Sequence, residues 1–193
     1  MKRLLLIFSL LAILPSAICF AGDYEDGWAA VDRGDYATAL KKWRPMADMG
    51  FPEVQFSMGA LYERGQGVPQ DFKQAFIWYR KAAEKEYAAA QHNLGVLYFN
   101  GHGAPQDYKE AARWFSKAAE QGYAAAQFSL GLLYGRGEGV PRNFVLAHKW
   151  FSLAAKNGYQ AAIEHRDAAE AFLTLPQLEE AHRLAKEWTA KRK

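Results

Sequence analysis

Acid–base, nucleophilic or metal chemistry in this 193-residue chain would have to come from five histidines, one cysteine, 21 acidic residues and a few serines. Their spacing argues against most of it. His92, His102, His148, His165 and His182 never stand one helical turn apart, and Cys19 has no second sulfur to join it, so a zinc site has no support. No Gly-x-Ser-x-Gly elbow and no Ser-x-x-Lys pair marks a serine nucleophile. Gly65-Gln66-Gly67, Gly101-His102-Gly103 and Gly137-Glu138-Gly139 share glycine content with phosphate loops. They follow helical patterns instead of strands, however, and run into Val-Pro or Ala-Pro. Glu84 with Glu86, and Glu179 with Glu180, are neighbours in sequence, whereas hydrolysis by two carboxylates needs groups converging across a cleft. The expectation is a chain with no catalytic residue, no metal and no cofactor.

Composition narrows the remaining classes. The 24 Lys+Arg against 21 Asp+Glu leave a net charge of +3, with the basic residues scattered along the chain. That balance is too weak for a protein held to nucleic acid by phosphate attraction, so no nucleic-acid partner is expected. With 50% hydrophobic and 15% aromatic residues the chain can bury a core, which excludes disorder. Met1-Lys2-Arg3, the apolar run 4–14 and the break Pro15-Ser16-Ala17 read as a secretory signal peptide over residues 1–21, predicting a periplasmic or secreted protein. The run is shorter than the roughly 20 residues of a spanning helix, so no permanent membrane span is expected. Ile18 stands where lipid attachment to Cys19 wants a small residue, which makes a lipoprotein the weaker reading. The closing Lys191-Arg192-Lys193 suits a helix C-terminus and needs no partner.

The elements that must position any binding residue come from an internal repeat. Shifting the chain by 36 residues superposes 55–90, 91–126 and 127–162, with about half the positions identical between neighbours. The recurring columns are Gly59/Gly95/Gly131, Tyr62/Tyr98/Tyr134, Gly65/Gly101/Gly137, Gly67/Gly103/Gly139, Pro69/Pro105/Pro141 and Trp78/Trp114/Trp150. Ala75/Ala111/Ala147 and the pairs Ala82-Ala83, Ala118-Ala119 and Ala154-Ala155 join them. Apolar spacing predicts two helices per unit, the first over 52–64, ended by Gly-x-Gly-Val-Pro. Asp71 with Gln74, and Asp107 with Glu110, form capping-box patterns that open the second helix, while Asn143 caps without a reciprocal acceptor. The second helix should turn Ala75, Trp78, Tyr79, Ala82 and Ala83 inward. Each repeated Trp can bury roughly 150–250 Å², on the order of 4–6 kcal/mol of transfer free energy. Repeating columns are therefore scaffold.

Outside the three units, residues 22–54 read as a short opening helix over 23–33 and a degenerate second helix that Pro45 should kink or shorten. Residues 163–193 belong to the C-terminal cap: an amphipathic helix over 160–172 carrying Ala161, Ala162, Ala168 and Ala169 is followed by a final helix from Leu175-Pro176. The latter spaces Leu178, Ala181, His182, Ala185 and Trp188 to dock on it.

The pattern Ala-Gln-x-x-Leu-Gly-x-x-Tyr-x-x-Gly-x-Gly-Val-Pro-Gln-Asp-Tyr-x-x-Ala-x-x-Trp-Tyr-x-Lys-Ala-Ala-Glu-x-Gly resembles the Sel-1-like repeat, a relative of the tetratricopeptide repeat. The resemblance implies an all-α fold, an α/α solenoid of antiparallel helix pairs wound as a right-handed superhelix. It also implies that the first helices line a concave, partner-binding face. Mapped onto this chain, that face comprises Phe56, Ala60, Glu63 and Arg64; His92, Val96, Phe99 and Asn100; and Phe128, Leu132, Gly135 and Arg136. Phe56, Phe99 and Phe128 are the expected anchors, with Glu63 and Arg136 at the edge. The implied function is a non-enzymatic adaptor whose partner is another envelope or secreted protein. A cell-wall enzyme or penicillin-binding protein is the alternative: some exported, Cys-rich members of the family have that association, and this chain lacks their cysteines. A structural component of an envelope complex is a third reading.

Overall fold

The computed structural model describes residues 15–191, with side chains from residue 22 onward. The apolar run 4–14, on which the signal-peptide expectation rests, lies outside the described residues. Ten helices follow in chain order among them: α1 (Pro15–Asp32), α2 (Tyr36–Met49), α3 (Pro52–Arg64), α4 (Phe72–Ala83), α5 (Ala88–Asn100), α6 (Tyr108–Glu120), α7 (Ala124–Arg136), α8 (Phe144–Lys156), α9 (Ala162–Glu170) and α10 (Leu175–Ala190). Each helix packs on the next from α1 to α9, the closest pairs being α3 with α4, α5 with α6 and α7 with α8. The expected solenoid of helical hairpins is what forms, and the first helix of the first unit covers the expected 52–64.

Local chemistry explains the hairpin. Gly65, Gly101 and Gly137 end the first helices in the left-handed conformation, which a side chain would resist. Asp71 then accepts from the amides of Lys73 and Gln74, Asp107 from those of Lys109 and Glu110, and Asn143 from that of Leu146. Only this half of the capping box is built. The cap residues' own amides donate to the carbonyls of Tyr62, Tyr98 and Tyr134, each 2.8–3.0 Å away. The preceding helix has taken the bond that a Gln or Glu three residues on would otherwise make. The second loop glycine locks adjacent units together: a methyl group at Gly139 would lie 2.1 Å from the Tyr108 carbonyl oxygen, and at Gly103 2.2 Å from that of Phe72. No larger residue fits between one loop and the start of the previous second helix.

Inside each hairpin a ring lies directly on a bare backbone. A methyl group at Gly59, Gly95 or Gly131 would come within 2.6 Å of Tyr79, Phe115 or Phe151 respectively. Trp78, Trp114 and Trp150 are at most 4% exposed and the paired alanines facing them are nearly all fully buried, so the shared core runs along the second helices. A buried glutamine ties each unit to the one before: Gln55, Gln91 and Gln127 donate through Nε2 to the carbonyls of Ala47, Ala83 and Ala119 at 2.8, 3.1 and 3.2 Å.

The ends depart from expectation. The opening helix is longer than 23–33, beginning at Pro15, and packs Gly27 and Trp28 on the Trp43 indole. Pro45 neither ends nor shortens α2, which continues to Met49. The helix predicted over 160–172 shrinks to α9, with Ala162 and Ala169 buried but Ala161 and Ala168 exposed. The final helix docks chiefly on α8 and not on α9: Trp188 meets Trp150 edge-on at 6.2 Å and donates to Glu120 at 2.7 Å. Helix α9, nine residues long, packs on α8, and α10 packs on α8 as well.

Candidate partner-binding face

The twelve expected residues fall into four columns along α3, α5 and α7, and the columns differ in what they touch. Phe56, His92 and Phe128 are committed to ring stacks. Phe56 packs on Tyr79 and Tyr87 at 5.6 and 5.4 Å, His92 on Phe115 and Tyr123 at 5.4 and 5.5 Å, and Phe128 on Phe151 and Tyr159 at 5.6 and 4.7 Å. Two of the three expected anchors are thus half-buried members of a repeating three-ring cluster. The signal was present in the sequence as the aromatic columns Tyr79/Phe115/Phe151 and Tyr87/Tyr123/Tyr159.

Glu63 is likewise engaged, accepting a 2.6 Å hydrogen bond from the Tyr79 hydroxyl. Burial, then the adjacent Glu63 carboxylate, raise the phenol's pKa well above its ordinary value. His92 places Nδ1 3.2 Å from Asn93 Oδ1 and Nε2 3.3 Å from Ser129 Oγ, and burial holds its pKa below the usual imidazole value. A neutral ring in this polar seam between α5 and α7 is the result.

The remaining columns leave a cavity. Val96, Phe99, Leu132 and Arg136, together with Phe115, Ser129 and Leu133, line a pocket of about 150 Å³ between α5 and α7. Cavities of roughly this size accommodate a benzene-sized group. Arg136 is exposed at its mouth, 3.7 Å from Glu138. Gly135 leaves space beside it, since a methyl group there would meet only Ala147 at 3.9 Å. Ala60 lines a partly buried wall one unit earlier, while Arg64 and Asn100 are exposed at the helix ends. Ser129, Phe115 and Leu133 were not anticipated from the sequence; Phe115 stands in the column of Tyr79, which was expected to turn into the core.

The histidines do not assemble. His102 stacks on Phe72, His165 meets Phe128 and Phe151, and only His148 and His182 approach one another, at 5.2 Å. Among the described residues no three His, Cys, Asp or Glu side chains are grouped to hold a metal. No helix among them is long and apolar enough to cross a membrane.

Successive antiparallel helix pairs, glycine-pinned and stacked through buried indoles, define a tetratricopeptide-like helical repeat protein. Comparison carries this to the family: the Sel1 repeat profile matches residues 52–87, 88–123 and 124–159, and the chain belongs to the Sel1 repeat family. Among solved structures it is similar to a Sel1 repeat protein from Oxalobacter formigenes (35% identity, TM-score 0.68, covering 71% of this chain and 56% of that one). It is also similar to c5321, a protective antigen of uropathogenic Escherichia coli strains with an SLR fold (30%, TM-score 0.63, covering 89% and 46%). Helicobacter pylori cysteine rich protein B is a third neighbour (28%, TM-score 0.55, covering 66% and 95%). The chain thus spans about half the length of the first two. No curated protein matches. Sel1 repeats typically mediate protein–protein interaction, and the family consists mainly of scaffolds and adaptors.

Proposed function

We propose that the protein is an exported adaptor that binds a helical or extended segment of another envelope or secreted protein across its first helices. The observation that carries the reading is the pocket between α5 and α7, because four of its seven lining residues, Val96, Phe99, Leu132 and Arg136, belong to the face inferred from the sequence. A cavity of about 150 Å³ with an exposed guanidinium at its mouth suits one apolar side chain of a partner with a polar or acidic residue beside it. Export rests on the basic start, apolar run and small-residue break of residues 1–21.

Capture from envelope extract by the wild type and by a Phe99→Ala, Leu132→Ala variant tests the face. Phe99 and Leu132 are the side chains of choice because Phe56 and Phe128 hold the fold together. A partner recovered at least tenfold less by the variant supports the site, and equal recovery of every partner by both proteins removes it. Mass spectrometry of the mature N-terminus tests export, which predicts Gly22 as the first residue.

A further inference from the structure

The near-neutral charge balance conceals a segregation. The second helices α2, α4, α6 and α8 carry eleven Lys and Arg against three Asp and Glu. The first helices α3, α5 and α7 carry two against two, and α1 carries four acids with no base. An excess of eight positive charges on four helices thus sits in a chain whose total is +3. The basic residues are not scattered in space.

The cations are also held in fixed positions. Lys81 and Arg44, from neighbouring second helices, both lie over the Trp78 ring, at 4.2 and 5.3 Å. Lys117 and Arg113 lie over Trp114 at 4.7 and 4.4 Å, and Lys149 over Trp150 at 4.1 Å. Arg44, Arg80 and Arg113 are each ion-paired, to Asp48, Glu84 and Glu110 at 3.0, 2.8 and 2.7 Å, so the array's charge rests on the lysines over the indoles. Stacking on an indole orders a lysine without neutralising it. The result is a row of ammonium groups, about one per repeat, on a face separate from the pocket between α5 and α7.

We infer that this face docks on an anionic phospholipid surface. Apolar exposure within the array favours a bilayer over a wholly hydrophilic polyanion: Ile77, 43% exposed, occupies in α4 the position that Arg113 holds in α6 and Lys149 in α8. A bilayer interface rewards both cations near its headgroups and an aliphatic side chain among them. The inference stands apart from the proposed adaptor site and survives its failure.

The test is partition of the full chain onto vesicles of equal parts phosphatidylglycerol and phosphatidylcholine, and onto phosphatidylcholine alone, with soluble polyglutamate as a third ligand. The neutral vesicles register whatever the apolar residues 4–14 contribute. Each cation near an anionic surface is worth roughly fivefold in binding, so Lys81→Gln, Lys117→Gln, Lys149→Gln together should weaken partition onto anionic vesicles by about a hundredfold. Arg33→Gln, Arg64→Gln, Arg136→Gln removes equal charge from elsewhere and should cost far less. A Lys→Arg triple at 81, 117 and 149 keeps charge and stacking and should bind as the wild type does, separating lost charge from lost fold. Ile77→Ser should weaken vesicle binding alone. Equal partition of the Gln triple and the wild type, or equal loss by both neutralising triples, overturns the inference. So does polyglutamate binding that matches the anionic vesicles with Ile77→Ser indifferent.

Discussion

Replacing Lys85 by Gln should stabilise the protein, because the first unit lacks a hydrogen bond that its two sisters make. In the second unit Gln121 Nε2 donates to Gln91 Oε1 at 2.8 Å, and in the third Asn157 Nδ2 donates to Gln127 Oε1 at 2.9 Å. The corresponding residue of the first unit is Lys85, whose ammonium turns instead to the Gly50 carbonyl. Gln55 Oε1 is left buried with no hydrogen-bond partner. An unsatisfied buried acceptor costs about 1–3 kcal/mol, and the exposed Lys85–Gly50 bond returns only part of that. Lys85→Gln should therefore gain about 1 kcal/mol, or about 2–4 °C in Tm for a chain of this size. Thermal and urea unfolding followed by circular dichroism measure it. Two controls separate the mechanism from a general benefit of losing a charge. Lys85→Met, which has no donor, should gain nothing, and in a Gln55→Met background Lys85→Gln should also gain nothing. A gain that persists without Gln55, or a lower midpoint for Lys85→Gln itself, refutes the reasoning.

The next residue offers a parallel case: Glu86 has φ 62°, the left-handed conformation that Gly122 and Gly158 adopt at the same point of the later units. Glu86→Gly should gain about 1 kcal/mol less the entropy glycine loses on folding, and a loss of stability would show the strain to be absent. Trp114→Ala empties a 4%-exposed site in the middle unit and should cost about 3–5 kcal/mol, whereas an unchanged melting curve would remove the indole column from the core. His148 is buried among α8, α9 and α10, facing His182, Glu170, Arg166 and Asp167, and burial first, then His182, hold its pKa below the usual 6.5. The unfolded chain then binds the proton more readily, so stability is fully present above pH 6.5 and is lost as pH falls below it towards the folded-state pKa. Tm measured from pH 7.5 down to 5 should fall, and fall less in His148→Gln; equal slopes in both proteins would exclude this residue as the source.

How much of this could be read beforehand follows from what a linear sequence exposes. Period and turn chemistry act locally, so Pro52 to Arg64, the loop glycines and the Asp71, Asp107 and Asn143 caps were legible: each is decided within four residues. The ring clusters around Phe56 and Phe128 join residues about 20–30 apart, where the change from Phe56 to His92 to Phe128 looked like freedom to bind but is a change of ring within a stack repeated in every unit. The docking of α10 on α8 and the nine-residue length of α9 are decided by packing between elements, which the alanine spacing of 160–172 did not reveal. Charge is the sharpest case. Lys81 and Lys117 are 36 residues apart and look isolated along the chain. A solenoid whose period is also 36 sets them side by side over successive indoles. A repeat protein turns sequence periodicity into surface adjacency, and charges that nearly cancel in a composition sum can still leave one face with a net positive charge.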